Sequence, residues 1–393
     1  MTADPLGARP DWHAARSYSY AAPRRLNPES VALSDAIGRV LAADVVALCD
    51  VPHYASSAMD GWAVAGVRPW RLTTSKSLAP GEAVPIVTGG LVPAGARAVL
   101  RSEHGAVREV DGGRVLEAND EARPGEPADG DNVRPAGEEV ARSDVVFRAG
   151  TRLNPAHVAV AAVCGYDELP VLRAPRVALI LTGDEVVGSG IPEPGRVRDT
   201  FGPQFPALIR MLGGTVTAAH HLHDDLDLLL ATIADDTAAE VLITTGGTGR
   251  SIVDHLHTAL AQLGASILID GIAMRPGGPT LLAKLPDGRY LIGLPGNPLA
   301  AMMGMLTVAQ PLLAGLTGAA EPALGSVVTG RELTGRPGLC RLLPYQLQDG
   351  AAAKSPWFGS GMLRGLATAD GVLISPPAGA RSGESVATLP LPW

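Results

Sequence analysis

Lysine is almost missing from this sequence: Lys76, Lys284 and Lys354 are the only ones in 393 residues. Arginine, alanine, glycine and proline are plentiful, a bias that fits codon pressure in a GC-rich genome. Basic positions are therefore to be sought mainly as arginine. The three cysteines, Cys49, Cys164 and Cys340, lie far apart in apolar or neutral surroundings, which excludes a disulfide framework and a zinc knuckle and fits a reducing compartment. No run of eighteen apolar residues occurs, and the start MTADPLGARPDWHAARSY has no apolar signal region, so a cytoplasmic protein without a membrane partner is expected. Lysine and arginine total 32 against 40 acids, for a net charge of −8, which excludes a general nucleic-acid binder. Any anion site must be local, or must borrow charge from a metal.

What is present divides the chain. Its length predicts two to four domains. Residues 27–48 carry a helical apolar pattern after Asn-Pro, and HVAVAAVCGYDELPVL gives one more helix and turn; 1–48 with 147–174 read as an N-terminal linker domain. The polar, glycine- and proline-rich middle, 49–146, reads as a small β domain. From 175 to 318, strands such as RVALIL, EVLITT and RYLIGL alternate with helices, which predicts a parallel sheet covered by helices. Period-two fragments broken by glycine and proline make 319–393 a small barrel or sandwich.

Within the α/β part, three strand ends carry unusual turns: LTGDE (181–185), TTGGTGRS (244–251) and LPGNP (294–298). Ligands of open parallel sheets sit beyond the carboxyl ends of the strands, so all three turns should face one crevice. Gly246, Gly247 and Gly249 place backbone N–H groups where a helix begins, which suits an anion, although a tight strand-to-helix turn needs the same glycines. No lysine follows as a triphosphate-binding loop requires. Asp184, Glu185, Asp224, Asp225 and Asp254 would repel a phosphate unless a hard cation intervened, and magnesium is the natural mediator. Helix capping is the competing role, above all for Asp224 and Asp225. In HHLHDD the imidazoles of His220, His221 and His223 alternate at strand spacing and cannot all ligate one metal. His255 and His257 likewise point apart. No nucleophile with an orienting base is readable, which disfavours covalent catalysis.

One further motif, VPHYASSAMDGWAV (51–64), crowds small residues around a lone acid, Asp60. An Asx-turn explains it as well as close approach to a ligand does. With IVTGGLVPAGARAVLRSE, NVRPAGEEV, FRAGTRLNP, RVALILTGDEV, TTGGTGRSIVD, AMRPGGP and LPGNPLAA, in one order over nearly the whole chain, it resembles the molybdopterin molybdenumtransferase family, relatives of the gephyrin E domain. The resemblance implies an elongated homodimer of four-domain subunits, with an α/β domain like molybdopterin adenylyltransferase and a C-terminal β barrel. It implies magnesium-dependent insertion of molybdate into adenylylated molybdopterin with release of AMP. Molybdopterin adenylyltransferase, molybdoenzymes and their chaperones are the implied partners. By the same resemblance, Asp60 serves the other subunit's site and Arg134, Glu185, Asp224, Asp254 and Arg275 act in catalysis, with Glu185, Asp224 and Asp254 on the metal. The same resemblance implies that Thr182, Gly183, Asp184, Gly246, Gly247, Thr248, Gly249, Arg250, Ser251, Pro276, Pro295, Gly296, Asn297 and Pro298 hold the pterin nucleotide.

The chain departs from the family pattern in two basic positions. Where the family commonly reads K-x-x-x-K-P-G-K-P, this sequence reads GIAMRPGGP: Arg275 keeps one charge, while Gly271 and Gly278 stand where lysines are frequent. Codon bias explains lysine becoming arginine but not lysine becoming glycine. An alternative reading follows, a paralogue that binds molybdopterin or its molybdenum cofactor without turnover, or one with a shifted substrate.

Overall fold

The computed structural model describes residues 9–246 and 255–393, which divide into two compact units. One contains Met1–Glu29, Gly38–Val40 and Val171–Trp393; the other contains Ser30–Ile37 and Leu41–Pro170.

The smaller unit is built on a six-stranded sheet in the order Ala98–Arg101, Gly61–Ala65, Glu82–Ile86, Trp70–Leu72, Gly113–Ala118, Gly105–Val110. Alternate residues face opposite sides: Val64, Ala98 and Leu100 pack with Trp70 and Leu116, while Ala63, Ala65 and Val99 pack with Leu78. Gly61 opens the strand that follows Asp60 because nothing larger fits: a Cβ there would lie 1.9 Å from the Leu100 carbonyl oxygen. Ser56–Ser57 pairs antiparallel with Val133–Arg134, which ties the Asp60 motif to Arg134. The helix expected over 27–48 does not form. Pro28–Ala32 and Val45–Val46 are strands around a single 3₁₀ turn at Leu33–Asp35. Proline, β-branched valines and Gly38 at φ +82° oppose a helix there more strongly than the apolar spacing favours one.

The larger unit begins with helix α1 (Trp12–Ala21), which the sequence pattern did not reveal and which packs within this unit. Its sheet contains β1 (Arg176–Thr182), β2 (Thr215–Leu222), β3 (Val241–Thr245), β4 (Ser266–Asp270), β6 (Leu281–Lys284) and β7 (Tyr290–Leu294), in the order β2-β1-β3-β7-β6-β4. The two-residue strand β5 (Met274–Arg275) belongs to the C-terminal sheet instead. Strands β2, β1, β3 and β7 are parallel, as expected, but β6 pairs antiparallel with both β7 and β4, so the sheet is mixed. The Asp287–Gly288 turn joins β6 to β7 as a hairpin, an element too short for a crossover helix. Burial on both faces explains the apolar strand sequences: Val177, Leu179 and Ile243 enter one core, and Ala178, Ile180 and Leu242 the other.

Helices α2 (Phe205–Met211), α3 (Leu226–Asp235) and α4 (His255–Gln262) cover this sheet, followed by the twenty-residue helical segment Pro298–Thr317. That segment is long and apolar enough to cross a bilayer, yet 94% of its most apolar eighteen-residue stretch is buried inside the protein, so it is a core helix. Its middle, Met305–Ala309, is a π turn. Pro311 accounts for the irregularity, since it offers no N–H to the preceding turn. The buried Arg16 guanidinium donates instead to the Leu306 carbonyl at 2.8 Å and to that of Pro322 at 2.7 Å. Burial pushes the Arg16 pKa down to about 10, against the opposing charge of Glu321.

The C-terminal sheet places β5 beside β8 (Cys340–Gln348), then Gly371–Ser375, Ser385–Leu389 and Gly325–Val328, with Ala351–Lys354 also on β8.

Candidate active site

The carboxyl ends of β1, β3 and β7 lie side by side, with Leu181 paired to Thr245 and Thr245 to Leu294. The TGDE and PGNP turns and Gly246 therefore meet at one edge. Thr182 Oγ1 donates to the Thr245 carbonyl at 2.8 Å, and the Gly246 N–H donates to that of Leu294 at 3.0 Å. The approach is close: a Cβ on Gly296 would stand 3.8 Å from Gly246 Cα, and one on Gly246 would stand 2.8 Å from Thr182 Oγ1. Gly247, Thr248, Gly249, Arg250, Ser251 and Asp254 lie outside the described residues.

On one side of this edge the groups are acidic. Asp184 accepts from His223 Nδ1 at 2.7 Å. That bond, with the Asp224 N–H, holds the Asp184 carboxyl below its ordinary pKa. Glu185 folds back over Gly183, with an oxygen 2.9 Å from where a Cβ would stand. Asp224 and Asp225 separate in role. Asp225 caps α3, accepting from the Leu228 N–H at 2.9 Å, while Asp224 caps no helix among the described residues and lines a cleft of about 20 Å³ with Thr182, Thr244, Gly246 and His255. His220, His221 and His223 each take a different carboxylate, Asp236, Asp199 and Asp184, so they share no ligand. Among the described residues no three histidine, cysteine or acidic side chains are grouped as a metal site.

On the other side of the PGNP turn the groups are basic. Pro295 and Asn297 line a cavity of about 650 Å³ with Arg275, Arg336, Arg341, Phe358 and Ser360. Among its described lining residues there is no aspartate or glutamate, in a chain with eight more acids than bases. Arg275 and Arg341 are register partners across β5 and β8. Arg341 also donates to the Thr334 carbonyl at 3.3 Å. Phe358 has Lys354 over its ring at 4.3 Å and Arg341 at 6.0 Å. Pro276 lies on the same wall, and Pro298 opens the core helix whose Ala300 N–H donates to the Ser360 carbonyl at 3.1 Å. Burial pushes the Cys340 thiol up to about 12, so it stays protonated and serves as packing rather than as a nucleophile.

Asp60 and Arg134 lie in the smaller unit, where Arg134 pairs with Ser56 and Asp60 follows Ser57 in the chain. The exposed Asp60 carboxylate accepts from the Thr88 N–H at 2.7 Å and its hydroxyl at 2.9 Å, which keep its pKa below the usual range. Sequence reasoning missed Arg336, Arg341, Phe358 and Ser360. The available signal was Arg341 itself, a lone charge in the apolar run LCRLLPYQL straight after the GRPG turn.

Comparison with known proteins places the chain in a family. The family model described as the MoeA N-terminal region, domains I and II, matches residues 12–165, and the one described as a probable molybdopterin binding domain matches 178–315. A molybdopterin molybdenumtransferase of Staphylococcus aureus is 32% identical over 313 residues, 74% of this chain and 72% of the relative. The Bacillus subtilis protein of the same name is 32% identical over 305 residues, covering 72% and 70%. The crystal structure of the molybdopterin biosynthesis moea protein from Pyrococcus horikosii superposes with a TM-score of 0.76 at 25% identity, covering 96% of this chain and 98% of that one.

Proposed function

The chain belongs to the molybdopterin molybdenumtransferase family, and we propose that this transferase of molybdenum cofactor biosynthesis inserts molybdate into adenylylated molybdopterin, with magnesium, releasing AMP. The observation that carries the proposal is the pairing of two oppositely charged foci on the two sides of one turn, Leu294–Asn297. Molybdate is a tetrahedral dianion, and the acid-free cavity offers it the planar forks of Arg275, Arg336 and Arg341 and the Ser360 hydroxyl. Holding the dianion there places it beside the edge that receives the pterin nucleotide, so the protein acts by positioning and electrostatic stabilisation.

The exposed carboxylates of Glu185, folded over Gly183, and of Asp224, in the cleft with Gly246, are hard oxygen donors and fit magnesium. Magnesium favours one or two carboxylates together with water and substrate phosphate, rather than a cage of protein ligands. Bound there, it would neutralise phosphate charge at the scissile linkage. Asp184, tied to His223, orders the turn that presents Glu185.

We read the working form as a homodimer in the cytoplasm, with Asp60 and Arg134 of one subunit serving the site of the other. Support for the dimer comes from the exposed apolar side chains Tyr54, Val87 and Leu91 around the Asp60 carboxylate. The C-terminal sheet is read as a barrel on the strength of a bridge between Thr329 and Ala352, which carries the chain beyond Gly325–Val328 back toward Ala351–Lys354. The alternative, a paralogue without turnover, drew its weight from Gly271 and Gly278. Arg336 and Arg341 remove much of that weight by supplying charge to the same cavity from another part of the chain. The test is incubation of purified protein with adenylylated molybdopterin, magnesium and molybdate. AMP release together with cofactor formation is expected, and binding of the pterin nucleotide without either product leaves the binding reading standing.

A further inference from the structure

Residues 9–12 hold the segment that leads into Arg275 at three successive points. The Arg9 side chain lies against Gly271, where a Cβ would stand 3.3 Å from Arg9 Nε. The Pro10 carbonyl accepts from the Ala273 N–H at 2.9 Å. Trp12, 1% exposed, donates from Nε1 to Thr307 Oγ1 at 2.9 Å, and the Thr307 hydroxyl turns to Met274 Sδ at 3.7 Å. Met274 directly precedes Arg275 and lines the basic cavity.

This line has a physical task. Arg275 and Arg341 stand in register with no acid in the cavity lining, so in the empty protein they repel each other. Left to itself, the Arg275 strand would relax away from its neighbour, and an arriving dianion would have to draw it back at the expense of affinity. Trp12, Thr307 and Met274 are all buried, so each hydrogen bond acts at low dielectric, and losing one partner strands a polar atom. The π turn makes the line possible by placing the Thr307 hydroxyl between the indole and the thioether.

We propose that Trp12 and Thr307 are positioning residues of the oxyanion pocket, which fix Met274 and through it the approach of Arg275 to Arg341 without touching substrate. The proposal rests on the reading of this cavity as the molybdate site. It is tested by calorimetric titration of the full chain with molybdate alone, beside thermal melting. Thr307→Val, which keeps shape and removes both hydrogen bonds of the hydroxyl, and Trp12→Phe, which keeps an aromatic ring and removes the indole N–H, are expected to weaken molybdate binding about tenfold, while Thr307→Ser stays within about twofold of the parent. Lower melting temperatures with parental molybdate affinity in both variants would make the line purely structural and overturn the proposal. A parent that binds no molybdate sinks the pocket reading and the proposal together, whereas a binding parent with unaffected variants sinks the proposal alone. If Thr307→Val does not fold, Trp12→Phe carries the same decision, because an aromatic ring still occupies most of the site and the Thr307 hydroxyl keeps its contact with Met274.

Discussion

Arg275 stands opposite Arg341 in the parallel register of β5 and β8, and both line a cavity with no carboxylate among its described lining residues. Two like charges held side by side, in a protein of net charge −8, mark a place where an anion is the missing partner. A unit charge about 4 Å from an oxyanion contributes roughly 1 kcal/mol in water and about 4 kcal/mol at intermediate screening. Arg341→Ala and Arg275→Ala are each expected to weaken molybdate binding and lower turnover by about tenfold to a hundredfold. Arg336→Ala, on an exposed loop, should cost less. Titration with molybdate checks the order, and unchanged affinity in all three variants would remove the oxyanion from this cavity.

Asp224 and Asp225 are neighbours with separable roles. Asp225→Ala removes the cap of α3 and is expected to cost about 1 kcal/mol of stability while leaving the magnesium dependence of turnover intact. Asp224→Ala is expected to do the reverse, with little change in melting and loss of magnesium-stimulated AMP release. Melting curves beside a magnesium titration distinguish them. Two variants that behave alike would place the cation elsewhere.

The α/β part was legible because its strands are buried on both faces and so read as apolar runs between helical patterns. That the ends of β1, β3 and β7 meet at one edge was legible as well, since a parallel sheet carries the carboxyl ends of its strands to one side. What sequence pattern could not show was Arg341 beside Arg275, because that pairing joins residues 66 apart through the two-residue strand β5. Strands so short carry no periodicity. Helix α1 was equally hidden: Trp12, Ala15, Arg16 and Ser19 face inward, and two of those four are polar. The 27–48 pattern misled for the opposite reason, since apolar spacing there met residues that resist helix.

Asp60 is expected to stay ionised below the pH at which an ordinary aspartate protonates. The Thr88 N–H and hydroxyl depress its folded pKa below the unfolded value of about 3.9, so its contribution is present above that value and is lost as pH falls through the folded pKa. Thr88→Val removes one of the two bonds, so the acid limb assigned to Asp60 should move upward toward the ordinary carboxylate value. Asp60→Asn should leave melting nearly unchanged and lower turnover about a hundredfold, the scale of one positioned electrostatic group. A pH–rate profile of both variants provides the check, and full activity in Asp60→Asn would exclude the residue from the site.

Restoring lysine at Gly271 and Gly278 looks, from sequence alone, like the way to awaken a lapsed enzyme. The backbone argues otherwise. Gly271 sits at φ +81°, where a side chain is strained by about 1–2 kcal/mol, and its Cβ would lie 3.1 Å from the Gly278 carbonyl oxygen. A Cβ on Gly278 would lie 3.0 Å from the Met274 carbonyl oxygen, on the residue that leads into Arg275. The two glycines also close on each other, because Gly278 accepts from the Ile272 N–H at 2.7 Å. A lysine at either place must therefore push apart the wall that carries Arg275, and its added charge arrives with a displaced guanidinium. Gly278→Lys and Gly271→Lys are each expected to lower the melting temperature and to leave molybdate binding no tighter than in the parent. Gly278→Ala should show much of the same loss, since the obstruction begins at Cβ. Thermal melting and molybdate titration of the three variants decide the matter. Tighter binding at parental stability would mean that the wall has room, and would return the lysine losses to the centre of the question of turnover.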